Sequence, residues 1–235
     1  MKLKKSEPLH FQAYQILRKK ILSGEIKPGE RLLEMKLSAY FGISRSPVRE
    51  AMRMLEQDGL IVSSGTGQIV HSMEYEDIKE VYECRMATES FAAYLATDNI
   101  SSNQIKQLKS NLKNAKDLYS RGLNEKAVEL NTIFHNTIIG ACGNKRLQEL
   151  IDKTSSLVIM AYNNNKEFIR KSDYLNEHER IINALENRNK NEAESLMKIH
   201  IENDWQYYLD CHNNMFRRKS KLMPNQDDIK VCFEK

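Results

Sequence analysis

Long apolar runs and proline are both scarce in this sequence of 235 residues, and each scarcity excludes a class of structure. No run reaches the roughly 18 apolar residues of a membrane span. The first residues, MKLKKSEPLHF, lack the apolar stretch of a signal peptide, so we expect a cytoplasmic protein with no membrane partner. Only four prolines occur, and none lies between Pro47 and Pro224. Such a stretch is typical of sustained helices.

Cysteine is also too sparse and too dispersed to organise the fold. The four cysteines, at positions 84, 142, 211 and 232, form no CxxC pair. Neither a disulfide framework nor a cysteine zinc site is indicated, and we interpret these residues as buried or incidental thiols.

The net positive charge of the chain lies in its N-terminal part. Residues 1–73 carry 12 Lys and Arg against 7 Asp and Glu, a net charge of +5, whereas 74–235 carry 24 against 25, a net charge of −1. A local basic excess suits a phosphate backbone as partner. We predict a DNA-binding domain over 1–73 and a second domain over 74–215 that binds an effector and dimerises. The rest, 216–235, is predicted to be a basic tail, and disorder is one interpretation of it.

The N-terminal pattern predicts a winged helix-turn-helix. Helices are expected over 9–23, 34–41 and 45–58, followed by two short strands around the turn SSGTGQ. On the third helix Val48 begins an apolar stripe at helical spacing, while Arg45, Arg49 and Arg53 share another face. Ser44 is the expected N-cap. Three arginines on one face would also suit a merely solvated surface, but this order of elements favours DNA as the partner.

The segment PGERLLEMKLSAYFGISRSPVREAMRMLEQDGLIV, residues 28–62, resembles the DNA-binding domain of the GntR family of bacterial transcription regulators. The resemblance implies that operator DNA is contacted by Ser44, Arg45, Ser46 and Arg49, with the wing tip, Gly65, Thr66 and Gly67, at the minor groove. Met35 stands where the family often has arginine, and Lys36 is a partial substitute. At the wing, 63–66 replace a common arginine.

The remainder of the chain predicts an all-α bundle, so the fold class is mainly α. Helical periodicity continues through six segments, at 76–98, 101–121, 124–141, 144–163, 172–187 and 191–214. The turn NRNKN is centred on Asn189, eleven residues from both His178 and His200. In an antiparallel hairpin such residues face each other, so the two imidazoles can converge. His135, with Asn131 one turn earlier, could add further ligands.

Three histidines and an oxygen donor suit zinc, nickel or a similar divalent cation. Hydrogen-bonded histidines of an ordinary core are the alternative. The segments NTIFH, ECRMATES and EHERIINALENRNKNEAESLMKIHI resemble the FCD effector domain of one GntR branch. That resemblance implies a divalent metal held by Asn131, His135, His178 and His200. Asparagine is a weaker ligand than aspartate and leaves the site one charge more positive, which favours an anionic effector.

Arg85 is implied by the same resemblance to bind the carboxylate of a small organic acid, although an ion pair with Glu89 at i+4 would equally explain it. These features predict a homodimeric, ligand-responsive regulator, with repression as the commoner outcome in the family. Two alternatives are a sensor whose effector is the cation itself, and a metallohydrolase with Glu177 or Glu179 as base.

Overall fold

The structure, a computed structural model, describes residues 7–65, 67–164, 170 and 172–222. Three helices and a hairpin come first: α1 Leu9–Leu22, α2 Glu34–Phe41, α3 Arg45–Gln57, β1 Ile61–Ser64 and β2 Gly67–Val70. The strands are antiparallel, with Ile61 opposite Val70, and Arg31 adds an isolated bridge to Ile69. The predicted winged helix-turn-helix is confirmed.

The tight reversal between α2 and α3 depends on glycine. Gly42 ends α2 with φ 65, a left-handed conformation that residues with a Cβ rarely adopt. The hydroxyl of Ser38 donates to the carbonyl oxygen of Ile43 at 2.5 Å across the turn. The inner face of α3 is then fully buried, at Val48, Ala51, Met52 and Leu55. This packing fixes which face of α3 is exposed.

Six further helices form the predicted bundle: α4 Tyr75–Asn99, α5 Ser102–Ser120, α6 Asn124–Ala141, α7 Lys145–Asn164, α8 Tyr174–Glu186 and α9 Lys190–Leu222. The last helix continues beyond the predicted end at 214, because no proline or glycine interrupts the chain before Pro224. Part of the predicted tail therefore belongs to α9, and 223–235 lie outside the described residues. None of the described helices is long and apolar enough to cross a bilayer.

The helix α4 follows the hairpin closely and joins it to the bundle. A capping box between Glu74 and Asp77 fixes its first turn. Farther along, α4 packs on α9, where the ring of Trp205 lies 5.7 Å from that of Tyr75 and 5.3 Å from that of Tyr82. These aromatic contacts fix the start of α4 on the bundle.

The hairpin of α8 and α9 is anchored at its turn by Arg188. This residue has φ 56, and its guanidinium donates to the carbonyl oxygens of Thr97 at 2.5 Å and Ile100 at 2.8 Å. These acceptors lie at the C-terminal end of α4, where helical carbonyls lack intrahelical partners. The turn is thereby held against the end of α4.

The two parts of the chain share one continuous apolar core. The cluster of buried residues that contains Leu17 of α1 and Leu55 of α3 also contains Ile181 of α8 and Ile201 of α9. At the junction, a Cβ on Gly59 would lie 3.5 Å from the side chain of Leu157 on α7. The winged helix-turn-helix therefore packs directly against the bundle.

Candidate DNA-binding surface and histidine cluster

The beginning of α3 presents an exposed polar surface. It consists of Ser44, Arg45, Ser46 and Arg49, all exposed, which we call the α3 surface. Ser44 occupies the N-cap position with extended backbone angles, φ −66 and ψ 165, but its side chain makes no capping hydrogen bond. The exposed face follows directly from burial of the opposite stripe of α3.

Arg49 has a partner within the protein. Its Nε and Nη2 donate to the two carboxylate oxygens of Glu34 on α2, at 2.8 and 2.9 Å. The hydrogen bond from Arg49 lowers the pKa of Glu34 and outweighs the opposing effect of desolvation. A two-point contact of this kind fixes the plane of the guanidinium. Arg49 is thus oriented on the surface, and another acceptor there would share it with Glu34.

The other predicted DNA-contacting residues lie on α2 and at the tip of the hairpin. Lys36 is exposed on α2, and Gly65 and Gly67 are exposed at the hairpin tip. Thr66 lies outside the described residues. Nη2 of Arg31 would be 3.7 Å from a Cβ at Gly67. Arg31 thus places a cation beside the wing, where the sequence pattern had shown only the loss of an arginine.

Three buried imidazoles meet inside the bundle, and we call them the histidine cluster: His135 of α6, His178 of α8 and His200 of α9. One potential ligand atom from each lies within 4.8 Å of the others. The Nε2 atom of His200 lies 3.2 Å from Nε2 of His135 and 3.4 Å from Nε2 of His178. The structure therefore brings together the three predicted histidines.

Two carboxylates determine which nitrogen of these rings carries hydrogen. Glu89 lies 2.8 Å from Nδ1 of His135, and Glu177 lies 2.7 Å from Nδ1 of His200. Burial raises the pKa of Glu177, but hydrogen bonds from His200 and Arg170 outweigh it and lower the value to about 2. Burial likewise opposes ionisation of Glu89, yet Arg85 and His135 hold its pKa far below the usual range. Both carboxylates are ionised and only accept.

Each of the two Nδ1 atoms therefore donates, which leaves a lone pair on Nε2 of any ring that is neutral. Desolvation lowers the pKa of His135, and it lowers that of His178 strongly, with His200 as the next cause. The neutral forms of His135 and His178 are thus favoured, and Nε2 of His200 lies 3.2 Å from Nε2 of His135. A hydrogen or a metal ion between the two nitrogens would stabilise this approach, and three ring nitrogens that converge on one point are a donor set that fits a divalent cation.

Asn131 supplies a second observation of the same kind. Its Oδ1 is buried and has no hydrogen-bond partner among the described residues. It lines one cavity together with His135 and a narrow pocket together with His178. A buried carbonyl oxygen without a partner is costly, and a cation would satisfy it. The predicted oxygen donor fits the predicted ligand set.

A network of charged groups surrounds the outer side of His200. Arg170 donates to both carboxylate oxygens of Glu177 at 2.9 Å and to Asp204 at 3.0 Å, and Asn203 donates to Glu177 at 2.8 Å. The ring of His178 is fixed separately, stacked on Phe134 with centroids 3.5 Å apart. Such contacts orient metal-binding imidazoles and set their basicity.

Of the two arrangements that the sequence left open for Arg85, the structure contains the ion pair with Glu89, and the effector contact stays a prediction. Its Nε donates to Glu89 at 2.6 Å in a buried pair, and the residue also lines a cavity of about 260 Å³. We call this the Arg85 cavity; Asn131 and His135 line it as well. Its size is below the range typical of drug-sized ligands, so it suits a small metabolite.

The helix α1 closes the Arg85 cavity from the side of the winged helix-turn-helix. Arg18 and Leu22 belong to its lining. Nη2 of Arg18 donates to Ser156 at 2.5 Å and lies 3.3 Å from a carboxylate oxygen of Asp152, both on α7. Sequence patterns did not identify this role, because contact between α1 and α7 joins residues far apart in the chain.

Other functional residues carried a weak signal. Asp204 is one helical turn after His200, so a search for carboxylates beside the histidines could have found it. Glu177, adjacent to His178, was considered only as the base of a metallohydrolase and not as the partner of His200. Arg170 had no such signal, since it lies outside any helix and reaches Glu177 and Asp204 through the tertiary fold.

Comparison with known proteins gives concordant matches along the chain. Residues 9–68 match the bacterial regulatory proteins of the gntR family, and residues 80–203 match the FCD domain. The chain is 32% identical over 212 residues to the HTH-type transcriptional regulator YdhC of Bacillus subtilis, covering 88% of this chain and 93% of that protein. It is 27% identical over 202 residues to the HTH-type transcriptional repressor RspR of Escherichia coli K12, covering 85% and 89%.

The fold is shared with a solved structure. E. coli McbR/YncC aligns with a TM-score of 0.71 over 88% of this chain and 100% of that chain. The sequence identity is 20%, so this likeness concerns the fold alone.

Proposed function

The chain belongs to the GntR family of bacterial regulatory proteins and carries an FCD domain, and we propose that it is a homodimeric repressor whose operator binding responds to a small organic acid. DNA-binding regulation is common to the family, and relatives include the repressor RspR. These are transcription regulators and not enzymes, which removes the metallohydrolase alternative. Because the partner is genomic DNA, the proposal includes action in the cytoplasm.

DNA recognition is assigned to the predicted DNA-binding domain, residues 1–73. The α3 surface would enter the major groove, with Arg45 and Arg49 reading base edges or phosphates. Lys36 would contact a phosphate, and the wing at Gly65–Gly67 would approach the minor groove. Two chains would present two α3 surfaces to the halves of a palindromic operator. The exposure of the α3 surface and the orientation of Arg49 support this assignment.

The effector part, over 74–215, is proposed to hold one divalent cation, zinc or nickel, through Asn131, His135, His178 and His200. The carrying observation is the convergence of the three buried imidazoles, with one potential ligand atom from each within 4.8 Å of the others, together with the buried Oδ1 of Asn131. When bound, the cation supplies positive charge that attracts a carboxylate. Glu89 and Glu177 keep His135 and His200 in the tautomer that leaves Nε2 available.

The acid would lie in the Arg85 cavity. Arg85 offers a guanidinium to a carboxylate there, while Glu89 holds that guanidinium in place. Arg85 and Glu89 both lie on α4, the helix that begins directly after the wing. Ligand binding at Arg85 would thus shift the population of α4 positions and, with it, the spacing of the two α3 surfaces in a dimer.

Native mass spectrometry of the freshly purified, untagged protein tests the effector assignment. We expect a dimer with one divalent metal per chain, and an added mass would identify a retained acid. His178→Ala should lose the metal, whereas His212→Ala, a change of the same type outside the histidine cluster, should retain it. Protein that stays metal-free after dialysis against zinc and nickel would contradict the metal assignment.

A metal sensor is the second candidate, favoured by the same three buried histidines. The two functions differ in operator binding. If the cation alone changed operator affinity and no acid altered it further, the cation itself would be the effector.

A further inference from the structure

The Arg85 cavity has an arginine at two separate places on its wall. Arg85 comes from α4 and lies with Asn131 and His135, whereas Arg18 comes from α1, in the winged helix-turn-helix. The two guanidiniums therefore reach one small cavity from different parts of the chain. A ligand with two anionic groups could pair each of them with its own arginine.

Arg18 has two partners on α7, and one of them can be replaced by a ligand. Ser156 is buried, and its hydroxyl already donates to the backbone carbonyl of Asp152 at 2.8 Å, so it accepts from Arg18 and holds the guanidinium at the wall. The carboxylate of Asp152 is different, because its side chain is 73% exposed and lies 3.3 Å from Arg18. Exposed pairs of this kind contribute little, so another carboxylate can replace Asp152 at low cost.

The cavity lining also includes small polar side chains, among them Thr132, Asn136 and Ser155. Such groups accept and donate hydrogen bonds without adding charge. From this arrangement, and resting on the effector function proposed above, we propose that the ligand is a small dicarboxylic acid. One carboxylate lies at the Arg85 and Asn131 end, and the second binds Arg18.

This placement makes the ligand a bridge between the two parts of the protein. A carboxylate on Arg18 acts directly on α1, which packs on α3, so the response does not depend on α4 alone. By thermodynamic reciprocity, operator binding and dicarboxylate binding must then affect each other through Arg18. A monocarboxylate would occupy the same cavity without this second effect.

Calorimetric titration of the full-length, metal-loaded protein with matched acids tests the proposal. The probes are succinate against butyrate, glutarate against pentanoate, and malate against 3-hydroxybutyrate. In at least one pair the dicarboxylate should bind about tenfold more tightly, the value of one charge-assisted contact. Arg18→Gln should remove that preference and leave the affinity for the monocarboxylate unchanged. Lys19→Gln, which removes the positive charge of the next residue, should keep the preference.

Asp152→Asn gives a change in the opposite direction. Because it removes the carboxylate that competes for Arg18, the dicarboxylate should bind more tightly in this variant. Equal binding within every pair, or equal weakening of both acids by Arg18→Gln, would overturn the dicarboxylate proposal. If Arg85→Gln then abolished binding of both acids, the effector function itself would stand. Absence of binding by all six acids would overturn both.

Discussion

The α3 surface and the histidine cluster are opposite solutions to the placement of functional groups. The α3 surface comes from six consecutive residues, all on one side of a single helix start, and its four polar side chains are exposed. The histidine cluster comes from three helices, and each imidazole is buried and held by other side chains. One is specified by local sequence and the other by tertiary packing.

This difference predicts how each region responds to substitution. Exposed side chains can change with little effect on the free energy of unfolding, so damage at the α3 surface should be confined to binding. Buried charged groups depend on one another, so damage at the histidine cluster should affect both stability and ligands. The following variants are ordered from the largest expected effect to the smallest.

Arg45→Ala combined with Arg49→Ala should reduce operator affinity by about 100-fold or more, because each arginine can discriminate a base or bind a phosphate. Fluorescence anisotropy at fixed salt measures this loss. Urea unfolding should be unchanged, since both side chains are exposed. Arg53→Ala, which removes one exposed charge from the same helix, is the control. Normal operator binding by the double variant would make the recognition assignment wrong.

Glu89→Gln should lower the free energy of unfolding by about 3 kcal/mol, because it removes the carboxylate from a buried pair and leaves the charge of Arg85 inside the protein. Chemical denaturation at pH 7 measures the change. Glu186→Gln is the matched control, since its carboxylate pairs with Lys109 at the surface. If both variants were equally stable, the buried pair would not distinguish the two regions as we argue.

Glu177→Gln should weaken metal binding by about 10- to 100-fold, since a carboxylate that orients a ligating imidazole contributes that much. Competition with a chromophoric chelator gives the affinity. Glu179→Gln, whose carboxylate contacts Lys116 on the exterior, should bind metal normally. Equal affinities for the two variants would show that His200 needs no orientation by Glu177.

Glu34→Gln should have the smallest effect, with a urea midpoint unchanged within error, because its pair with Arg49 is exposed. The sign is nevertheless defined. Arg49 lowers the pKa of Glu34, so any stabilisation is present above the ordinary carboxyl pKa and is lost as the pH falls below it. A large loss at pH 7 that persists in acid would contradict the exposed, weakly coupled character of the α3 surface.

Sequence patterns predicted the fold well because its signals are local. The apolar stripe from Val48 to Leu55, the reversal at Gly42 and the missing prolines each act within a few residues. Helix ends were less well defined, as α9 shows by continuing to Leu222. The chain has no proline or glycine there to end the helix, and an apolar periodicity alone does not locate a helix end.

The candidate site was predicted in part from spacing, whereas the complete set with Asn131, His135 and Arg85 came from the resemblance to the FCD domain. Equal distances of His178 and His200 from Asn189 indicated their meeting, because a hairpin converts sequence distance into spatial distance. Arg170 and Arg18 had no such geometry in the sequence. Their positions follow from how α8 meets α9 and how α1 meets α7, and those contacts require the whole fold.

The single tryptophan of the chain makes the junction between wing and bundle optically distinct. Trp205 lies against Tyr75, the first residue of α4, and against Tyr82, about two helical turns farther along the same helix. Its emission therefore originates from one position only. Any rearrangement that separates the start of α4 from α9 changes the surroundings of that indole, so the intensity and wavelength of intrinsic fluorescence can follow the junction in real time without an added label.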